Sequence, residues 1–387
     1  MLARRIDRLT SSLVRDILAA ATRPDMISFA GGLPAEEALY QPSLPDGKLP
    51  DIWQYGQTEG EPRLRELVAA HGRSLGLDCT AAQVLIVNGS QQGIDLVSKL
   101  LIDEGTPVLA EAPAYLAALQ AFRLFGADIR GFTVGDNGPD IEALQQQLAQ
   151  TRFTYLTPTF QNPSGYCYSD AERDAVAASL DAADGILFED DPYRDLAYDA
   201  PAPQPITGRL RRARWVYQGS FSKTLAPGLR LGYLIVHPDF ITPLTRLKQA
   251  ADLHSNRLSQ ALVADCLERN ELAAHVASVL PIYRERRDAM HVALSQHLGE
   301  LASWQVPVGG LFFWVKLRQP VDMRALLAAG LDAGIAVMPG DAFFAGTPDV
   351  SYLRLNFSHA DPAAILTGAE RLAALLHEAN RLAALVA

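Results

Sequence analysis

A lysine surrounded by hydroxyl side chains is the residue best suited to do chemistry in this sequence. Lys223 lies in the segment Gly219–Gly232, which reads GSFSKTLAPGLRLG and follows an apolar run that predicts a buried strand. An enclosed lysine amine loses its proton readily and forms Schiff bases with carbonyl compounds. Arg230 adds a cation suited to a phosphate. We interpret the segment as a Schiff-base lysine beside a phosphate clamp; the alternative is a solvated lysine in a turn.

Ser220 and Lys223 also form the Ser-x-x-Lys pattern of β-lactamases and penicillin-binding proteins. Those enzymes carry Ser-Asp-Asn and Lys-Thr-Gly motifs as well, and this sequence has neither. Their serine opens a helix, whereas Ser220 follows a strand-like run. The sequence therefore disfavours a serine nucleophile here.

Acidic side chains follow a second apolar run, in the segment 188–193 that reads FEDDPY. Open α/β sheets bind ligands at the carboxyl ends of their strands, and a buried carboxylate there needs a cationic partner. The protonated ring nitrogen of pyridoxal phosphate is such a cation, and its charge makes the ring an electron sink. The alternative is a strand-end turn with solvated acids.

Three further segments contribute polar groups. QNPSG at 161–165 follows a predicted strand and by itself is turn chemistry. NGSQQG at 88–93 leads from a strand into a helix. Its backbone N–H groups are suited to bind an anion; the alternative is that the segment only caps the helix. YLRLNF at 352–357 places Arg354 in an apolar strand, where it needs a carboxylate from a ligand or from a structural ion pair.

The elements that position these groups follow an α/β pattern. Short apolar runs alternate with helix-period segments, which is typical of βαβ units around a parallel sheet. The predicted strands are Val84–Val87, Pro107–Ala110, Ile129–Val134, Phe153–Thr157, Gly185–Glu189, Trp215–Gly219 and Leu231–Val236. The predicted helices between them are Gly93–Ile102, Tyr115–Phe125, Ile141–Ala149 and Ala171–Ala182.

A smaller α+β domain is predicted from the changed order of elements after residue 270. Its predicted strands are Ala302–Val306, Phe312–Leu317, Ile335–Met338 and Tyr352–Phe357. We expect residues 45–270 to form the large domain, and residues 1–44 with 271–387 to form the small one. The Gly- and Pro-rich segment 30–60 is expected to be extended and loop-like.

Composition excludes several classes of protein. The 387 residues are enough for two or three domains. The 49% hydrophobic and 20% charged residues are close to the average of soluble proteins, which argues against disorder, collagen, coiled coil and disulfide-rich scaffolds. The net charge of −10 repels a phosphate backbone, so nucleic acid is not an expected partner.

A cytoplasmic protein without metal is expected. The three cysteines, Cys79, Cys167 and Cys266, have no close spacing, which fits a reducing compartment. No apolar run approaches the roughly 18 residues of a membrane helix, and charges near the N-terminus disfavour a signal peptide. The eight histidines form no metal-binding motif.

The polar segments occur in a fixed order at successive strand ends, and in this they resemble the fold-type I enzymes that depend on pyridoxal 5'-phosphate. More narrowly, the sequence resembles class I/II aminotransferases of the 2-aminoadipate and kynurenine aminotransferase branch. The resemblance extends from ISFAGGLP at 27–34 through QYGQTEG at 54–60 to the Arg354 strand. It implies a large domain with a seven-stranded, mostly parallel sheet, a smaller α+β domain, and a homodimer with shared active sites.

The resemblance also implies roles for the residues around the cofactor ring. Lys223 would be the Schiff-base lysine and the general base, and Asp190 the partner of the ring nitrogen. Tyr193 and Asn162 would hydrogen-bond the phenolic oxygen, while Tyr115 would stack on the ring. The phosphate cradle would consist of Ser90, Gln91, Ser220, Ser222 and Arg230, with Tyr55 reaching in from a second subunit.

For the substrate, the resemblance implies that Arg354 binds the α-carboxylate with help from Asn162, beneath a loop that contains Gly32. Arg15 aligns with an arginine that some relatives use for a distal carboxylate; the alternative is a solvated helix face. The chain between Gly32 and Tyr55 is shorter than is usual in the branch, which implies that a helix beside the substrate entrance is truncated and that residues 35–51 are irregular. This departure weakens inference about the substrate.

The implied reaction moves an amino group from an L-amino acid to a 2-oxo acid, with 2-oxoglutarate the expected acceptor, by ping-pong kinetics. Two alternatives remain at this point. A carbon–sulfur lyase on the same fold would release pyruvate and ammonia without an acceptor. A non-catalytic effector-binding module would bind the cofactor and turn nothing over.

Overall fold

A computed structural model describes residues 2–9, 17, 19, 23, 25–42, 52–346, 348 and 350–386. Its helices are α1 (Pro62–Ser74), α2 (Ser90–Leu101), α3 (Leu116–Phe125), α4 (Ile141–Leu148), α5 (Asp170–Ala182), α6 (Pro238–Asp252), α7 (Arg257–Glu268), α8 (Glu271–Leu298), α9 (Met323–Asp332) and α10 (Pro362–Val386). Its strands are β1 (Ile27–Ser28), β2 (Val84–Val87), β3 (Pro107–Ala112), β4 (Asp128–Gly135), β5 (Gly138–Pro139), β6 (Phe153–Leu156), β7 (Ile186–Asp190), β8 (Arg214–Ser220), β9 (Gly232–Val236), β10 (Ala302–Ser303), β11 (Phe312–Leu317), β12 (Ile335–Ala336), β13 (Met338–Pro339) and β14 (Tyr352–Asn356).

The larger sheet has the strand order β2-β9-β8-β7-β6-β3-β4-β5. The pairs from β8 to β4 are parallel, whereas β9 is antiparallel to both of its neighbours. Because β9 is reversed between them, β2 runs in the same direction as β8. The carboxyl ends of six strands and the amino end of β9 therefore lie along one edge of the sheet.

Helices cover both faces of this sheet, which explains why β2, β6, β7 and β9 are buried along their whole length, whereas β4 carries exposed residues. In β2, Leu85 and Val87 join one buried cluster with Phe122, while Val84 and Ile86 join another with Leu64. Local signals fix the helix ends. Helix α5, for example, begins with a capping box between Ser169 and Glu172, and α1 begins with Pro62.

The second group of strands is built from the C-terminal part of the chain and the segment at 27–28. The antiparallel sheet β10-β11-β14-β13 holds Arg354 in its third strand, and β1 pairs in parallel with β12. A buried cluster that includes Phe29, Phe313 and Leu355 joins these strands to the long helices α8 and α10.

The observed elements differ from the predicted ones in several places, and the predicted strand 302–306 is observed only at Ala302–Ser303. Gly138–Pro139 adds a short eighth strand to the large sheet, although Gly and Pro are not strand formers. The predicted strand 335–338 is two strands, because Ile335–Ala336 pairs with β1 and Met338–Pro339 pairs with β14. In the segment expected to be irregular, Glu36–Ala38 is one 3₁₀ turn and residues 43–51 lie outside the described part.

Among the described residues, none of the helices combines the length and apolar character that crossing a bilayer requires.

Candidate active site

A cavity of about 560 Å³ lies where the strand ends of the large sheet face the small sheet. Twelve of the fourteen residues singled out from the sequence line it. They are Gly32, Ser90, Gln91, Tyr115, Asn162, Asp190, Tyr193, Ser220, Ser222, Lys223, Arg230 and Arg354.

Lys223 follows β8 directly, and its amine projects toward the N-terminal segment. Its Nζ donates a hydrogen bond to the carbonyl oxygen of Gly32 at 2.7 Å. Enclosure of the amine, together with the nearby Arg354 and Arg230 cations, lowers the pKa of Lys223 to about 8. A lysine with this pKa has an appreciable neutral fraction near pH 7, and the neutral amine is the form that acts as a nucleophile or base.

Asp190 is the buried carboxylate of the cavity, at the last position of β7. Its Oδ2 accepts from the Tyr155 hydroxyl at 2.8 Å and its Oδ1 from Gln218 Nε2 at 2.7 Å. Burial raises the pKa of Asp190 to about 6, while these two neutral donors oppose the rise. No lysine, arginine or histidine of the described residues forms an ion pair with this carboxylate. A cation placed in the cavity would supply the missing partner.

The acids on either side of Asp190 have other partners. Side chains alternate across a strand, so Glu189 points to the opposite face. There it accepts from Thr207 N at 2.8 Å and Thr207 Oγ1 at 2.7 Å. Asp191 forms a buried ion pair with Arg194. Of the three acids, only Asp190 lines the cavity.

The groups suited to a phosphate meet at the start of α2. Gly89 precedes this helix with φ 76°, and a Cβ there would lie 2.6 Å from Arg230 Nη2. The conformation therefore favours glycine, and a side chain at this position would displace the Arg230 guanidinium. Ser90 and Gln91 occupy the first helical turn, whose N–H groups have no partner within a helix. With Ser220, Ser222 and Arg230 on the facing loop, this arrangement favours a dianion.

Arg354 lies on the opposite wall, in β14. Its Nη1 donates to Asn162 Oδ1 at 2.8 Å, and its guanidinium carbon lies 4.3 Å from the centre of the Phe312 ring. It is 4% exposed, its Nε has no hydrogen-bond partner among the described residues, and no carboxylate of those residues pairs with it. Burial lowers its pKa to about 10. A buried arginine with unused donors is suited to a carboxylate that arrives with a ligand.

Asn162 connects the two walls of the cavity. Its Oδ1 faces Arg354, and its Nδ2 donates to the Tyr193 hydroxyl at 3.3 Å. Burial raises the pKa of both Tyr193 and Tyr115, so both phenols stay protonated and can donate at neutral pH.

Two of the fourteen residues are not among those that line the cavity. Tyr55 is 77% exposed, and its ring contacts His254 edge-on. Arg15 lies outside the described residues.

Sequence reasoning missed Tyr155 and Gln218, the two residues that hold Asp190. Gln218 stands opposite Asp190 in the register of β7 and β8. A polar residue within an apolar strand, five positions before Lys223, was the available signal. Reasoning from the sequence also missed Thr157, Gln120 and Met338, which line the cavity.

The residues present fit pyridoxal phosphate. Asp190 lacks a cation, the turn at Gly89 and Ser90 offers donors to a phosphate, and Lys223 is suited to bind an aldehyde. Together these features of the cavity match three groups of one cofactor, which are its ring nitrogen, its phosphate and its aldehyde.

Comparison with known proteins agrees with this fit. The 2-aminoadipate transaminase of Thermus thermophilus is 36% identical over 377 residues, which cover 94% of this chain and 94% of that protein. The structure of Pyrococcus horikoshii kynurenine aminotransferase with PMP has a TM-score of 0.90 at 31% identity and covers 98% of this chain and 97% of that one. The α-aminoadipate aminotransferase from T. thermophilus, complexed with N-(5'-phosphopyridoxyl)-L-leucine, has a TM-score of 0.87 at 33% identity and covers 98% of both chains.

These similarities confirm the fold-type I α/β architecture, the aminoadipate and kynurenine branch, and pyridoxal phosphate as the cofactor. They favour amino transfer over the lyase and effector-binding alternatives. Residues 36–372 also match the sequence model of the family Aminotransferase class I and II. Because that match spans most of the sequence and the relatives align almost end to end, the chain belongs to the class I and II aminotransferases.

Proposed function

We propose that Lys223 is the residue that binds the cofactor aldehyde and moves the substrate proton, with Asp190, Tyr193 and Asn162 tuning the ring. The observation that carries this proposal is the pairing of a lysine of lowered pKa with a buried carboxylate that lacks a cation, in one cavity. Perturbed titratable groups that converge on a cavity are typical of catalytic sites.

Pyridoxal phosphate supplies an aldehyde that captures the amino group and a ring that accepts electrons. The Asp190 carboxylate would hold a positive charge at the ring nitrogen, and Tyr193 would donate to the phenolic oxygen with Asn162 beside it. As a free amine, Lys223 Nζ would remove the proton from the substrate Cα. Arg354 binds the α-carboxylate, which fixes the orientation of the Cα–H bond.

We assign the phosphate to Ser90, Gln91, Ser220, Ser222 and Arg230, and ring stacking to Tyr115. Gly32 belongs to the segment that covers the substrate. The hydrogen bond that its carbonyl accepts from Lys223 supports this assignment.

The proposed donor is an L-amino acid and the proposed acceptor is 2-oxoglutarate. Relatives acting on aminoadipate and on kynurenine support a side-chain pocket of some breadth. Leu116 and Met338 add apolar side chains to the cavity lining, and Gln120 adds an amide. We propose that Arg15 supplies the contact for a distal carboxylate.

The proposed assembly is a homodimer in which Tyr55 completes the phosphate cradle of the other copy. Tyr55 and its neighbour Trp53 are 77% and 79% exposed, which is unusual for large aromatic side chains. A cytoplasmic location is also proposed, because Cys79, Cys167 and Cys266 are all free thiols.

The variant Lys223→Ala tests the central assignment. We expect it to lose transamination by several orders of magnitude, since no other lysine lines the cavity among the described residues. It should still bind pyridoxal phosphate, because the phosphate and ring contacts remain. Lys99→Ala, which removes an exposed lysine of α2, is the control and should be fully active. Normal turnover by Lys223→Ala would contradict the proposal.

A further inference from the structure

A buried lysine lies behind the proposed phosphate cradle without lining the cavity. Lys248, in α6, has no exposed surface. Its Nζ lies 3.0 Å from both Oδ1 and Oδ2 of Asp252, one helical turn further along. A buried ammonium group requires such a partner, so this pair is a fixed part of the structure rather than a mobile surface contact.

The pair is joined to both ends of the turn that enters α2. Lys248 Nζ donates to Gln92 Oε1 at 3.0 Å, and the same oxygen accepts from the backbone N–H of Asn88 at 2.8 Å. Asp252 Oδ2 accepts from Asn88 Nδ2 at 2.5 Å and from Gln92 Nε2 at 2.6 Å. The four side chains therefore form a closed hydrogen-bond network, and residues 88 and 92 are held at a fixed separation.

The turn held in this way is the one that carries Gly89, Ser90 and Gln91. Arg230 Nη2 contacts the Asn88 carbonyl at 3.5 Å, so the facing loop meets the same turn. The charges of Lys248 and Asp252 compensate each other. The network consequently acts on a phosphate through the geometry of the N–H groups, and only weakly through net charge.

We infer that Lys248 and Asp252 are positioning residues for the cofactor phosphate, acting through Asn88 and Gln92 on the turn that contains Ser90. The inference rests on the proposed assignment of that turn and Arg230 to the phosphate. It assigns a function to an ion pair whose two members are not among the residues that line the cavity.

The test compares the affinity of the cofactor-free protein for pyridoxal phosphate and for pyridoxal. Both aldehydes react with Lys223, so the ratio of their dissociation constants isolates the contribution of the phosphate. Lys248→Met is expected to weaken pyridoxal phosphate binding by about tenfold or more, the range for loss of a charged hydrogen bond, and to leave pyridoxal binding within about twofold.

Lys99→Met is the matched control, because Lys99 also pairs with an aspartate four residues away in a helix but is exposed. It should change neither constant. Equal losses for both aldehydes in Lys248→Met, or no loss for either, would overturn the inference.

Asp252→Asn provides a second variant if Lys248→Met does not fold, since it removes the charge and keeps the shape. The same selective loss for pyridoxal phosphate is expected, and an unselective loss overturns the inference. Arg230→Ala distinguishes the underlying assignment. If that variant binds both aldehydes as the wild type does, the phosphate cradle itself is wrongly placed, whatever Lys248→Met shows.

Discussion

Among single residues, the site depends on the buried carboxylate of Asp190, whose hydrogen-bond donors are neutral. Asp190 is held by Tyr155 and Gln218, and neither of them neutralises its charge. The carboxylate thus keeps its affinity for a cation, while its neighbour Asp191 has already paired with Arg194. Two adjacent acids therefore differ in function because only one of them has a cation within the protein.

The stability of the cofactor-free protein should reveal this buried charge. Burial raises the pKa of Asp190 from 3.8 to about 6, so the folded state binds more protons than the unfolded state between these values. The carboxyl group therefore costs least stability below pH 4, and the cost grows as the pH rises through 6. Relative to Asp190→Asn, the wild type should lose up to about 3 kcal/mol of unfolding free energy between pH 4 and pH 7.

Denaturant unfolding of both cofactor-free proteins across this pH range measures the difference. A constant difference between the two proteins would show that Asp190 ionises normally. Adding pyridoxal phosphate should reverse the trend, because the ring nitrogen then supplies the cation.

At the scale of elements, helix α2 serves the site through two of its faces. Its first turn carries Ser90 and Gln91, while Gly93 packs against Gln218 of β8. A Cβ at Gly93 would lie 2.0 Å from Gln218 Oε1, so only glycine lets this side chain reach Asp190. The helix thereby links the phosphate end of the site to the carboxylate at the ring nitrogen.

Gly93→Ala should therefore impair catalysis although alanine favours helices. The added methyl group forces Gln218 away from Asp190 and overpacks the sheet, which costs about 1–3 kcal/mol of stability. We expect a lower kcat and a lower melting temperature. Gly228→Ala is the control, since a Cβ at Gly228 meets nothing within 4 Å. A Gly93→Ala enzyme with wild-type kcat would show that the position of Gln218 does not matter.

Some parts of the site could be predicted from the sequence and others could not. Strand ends are marked locally, by apolar runs that stop at Gly, Ser, Asn or Asp, and so the segments around Asn162, Asp190 and Lys223 were predictable. The pairing of Gln218 with Asp190 depends on the register of two strands, which no local pattern encodes. The Lys248 network joins residues about 160 positions apart and is equally hidden.

At the scale of the whole molecule, the site lies between two sheets of different origin. The large sheet supplies Lys223 and Asp190, while the small sheet supplies Arg354 and the N-terminal segment supplies Gly32. The proposed substrate site therefore needs both parts of the chain. The exposed Tyr55 is not among the residues that line the cavity of its own chain, and the proposed homodimer would place it at the cavity of the second copy.

Mixing two inactive variants tests the shared site. Lys223→Ala and Tyr55→Ala are each expected to be impaired, the second through weaker cofactor binding. A mixed dimer contains one site with both changes and one with neither, so mixing should restore activity up to about a quarter of the wild-type value, given random exchange of subunits. Failure to restore any activity in a verified mixed dimer would argue that Tyr55 serves its own chain or none.

The absorbance spectrum of the holoenzyme tests directly whether this cavity carries out amino transfer. Single L-amino acids are added to the purified protein, and a 2-oxo acid such as 2-oxoglutarate is then added after the excess amino acid has been removed. We predict that the band of the lysine-bound cofactor converts to that of the pyridoxamine form with some amino acids and returns with the oxo acid. A band that never converts, or conversion that proceeds equally in Lys223→Ala, would contradict the assignment of amino transfer to this cavity.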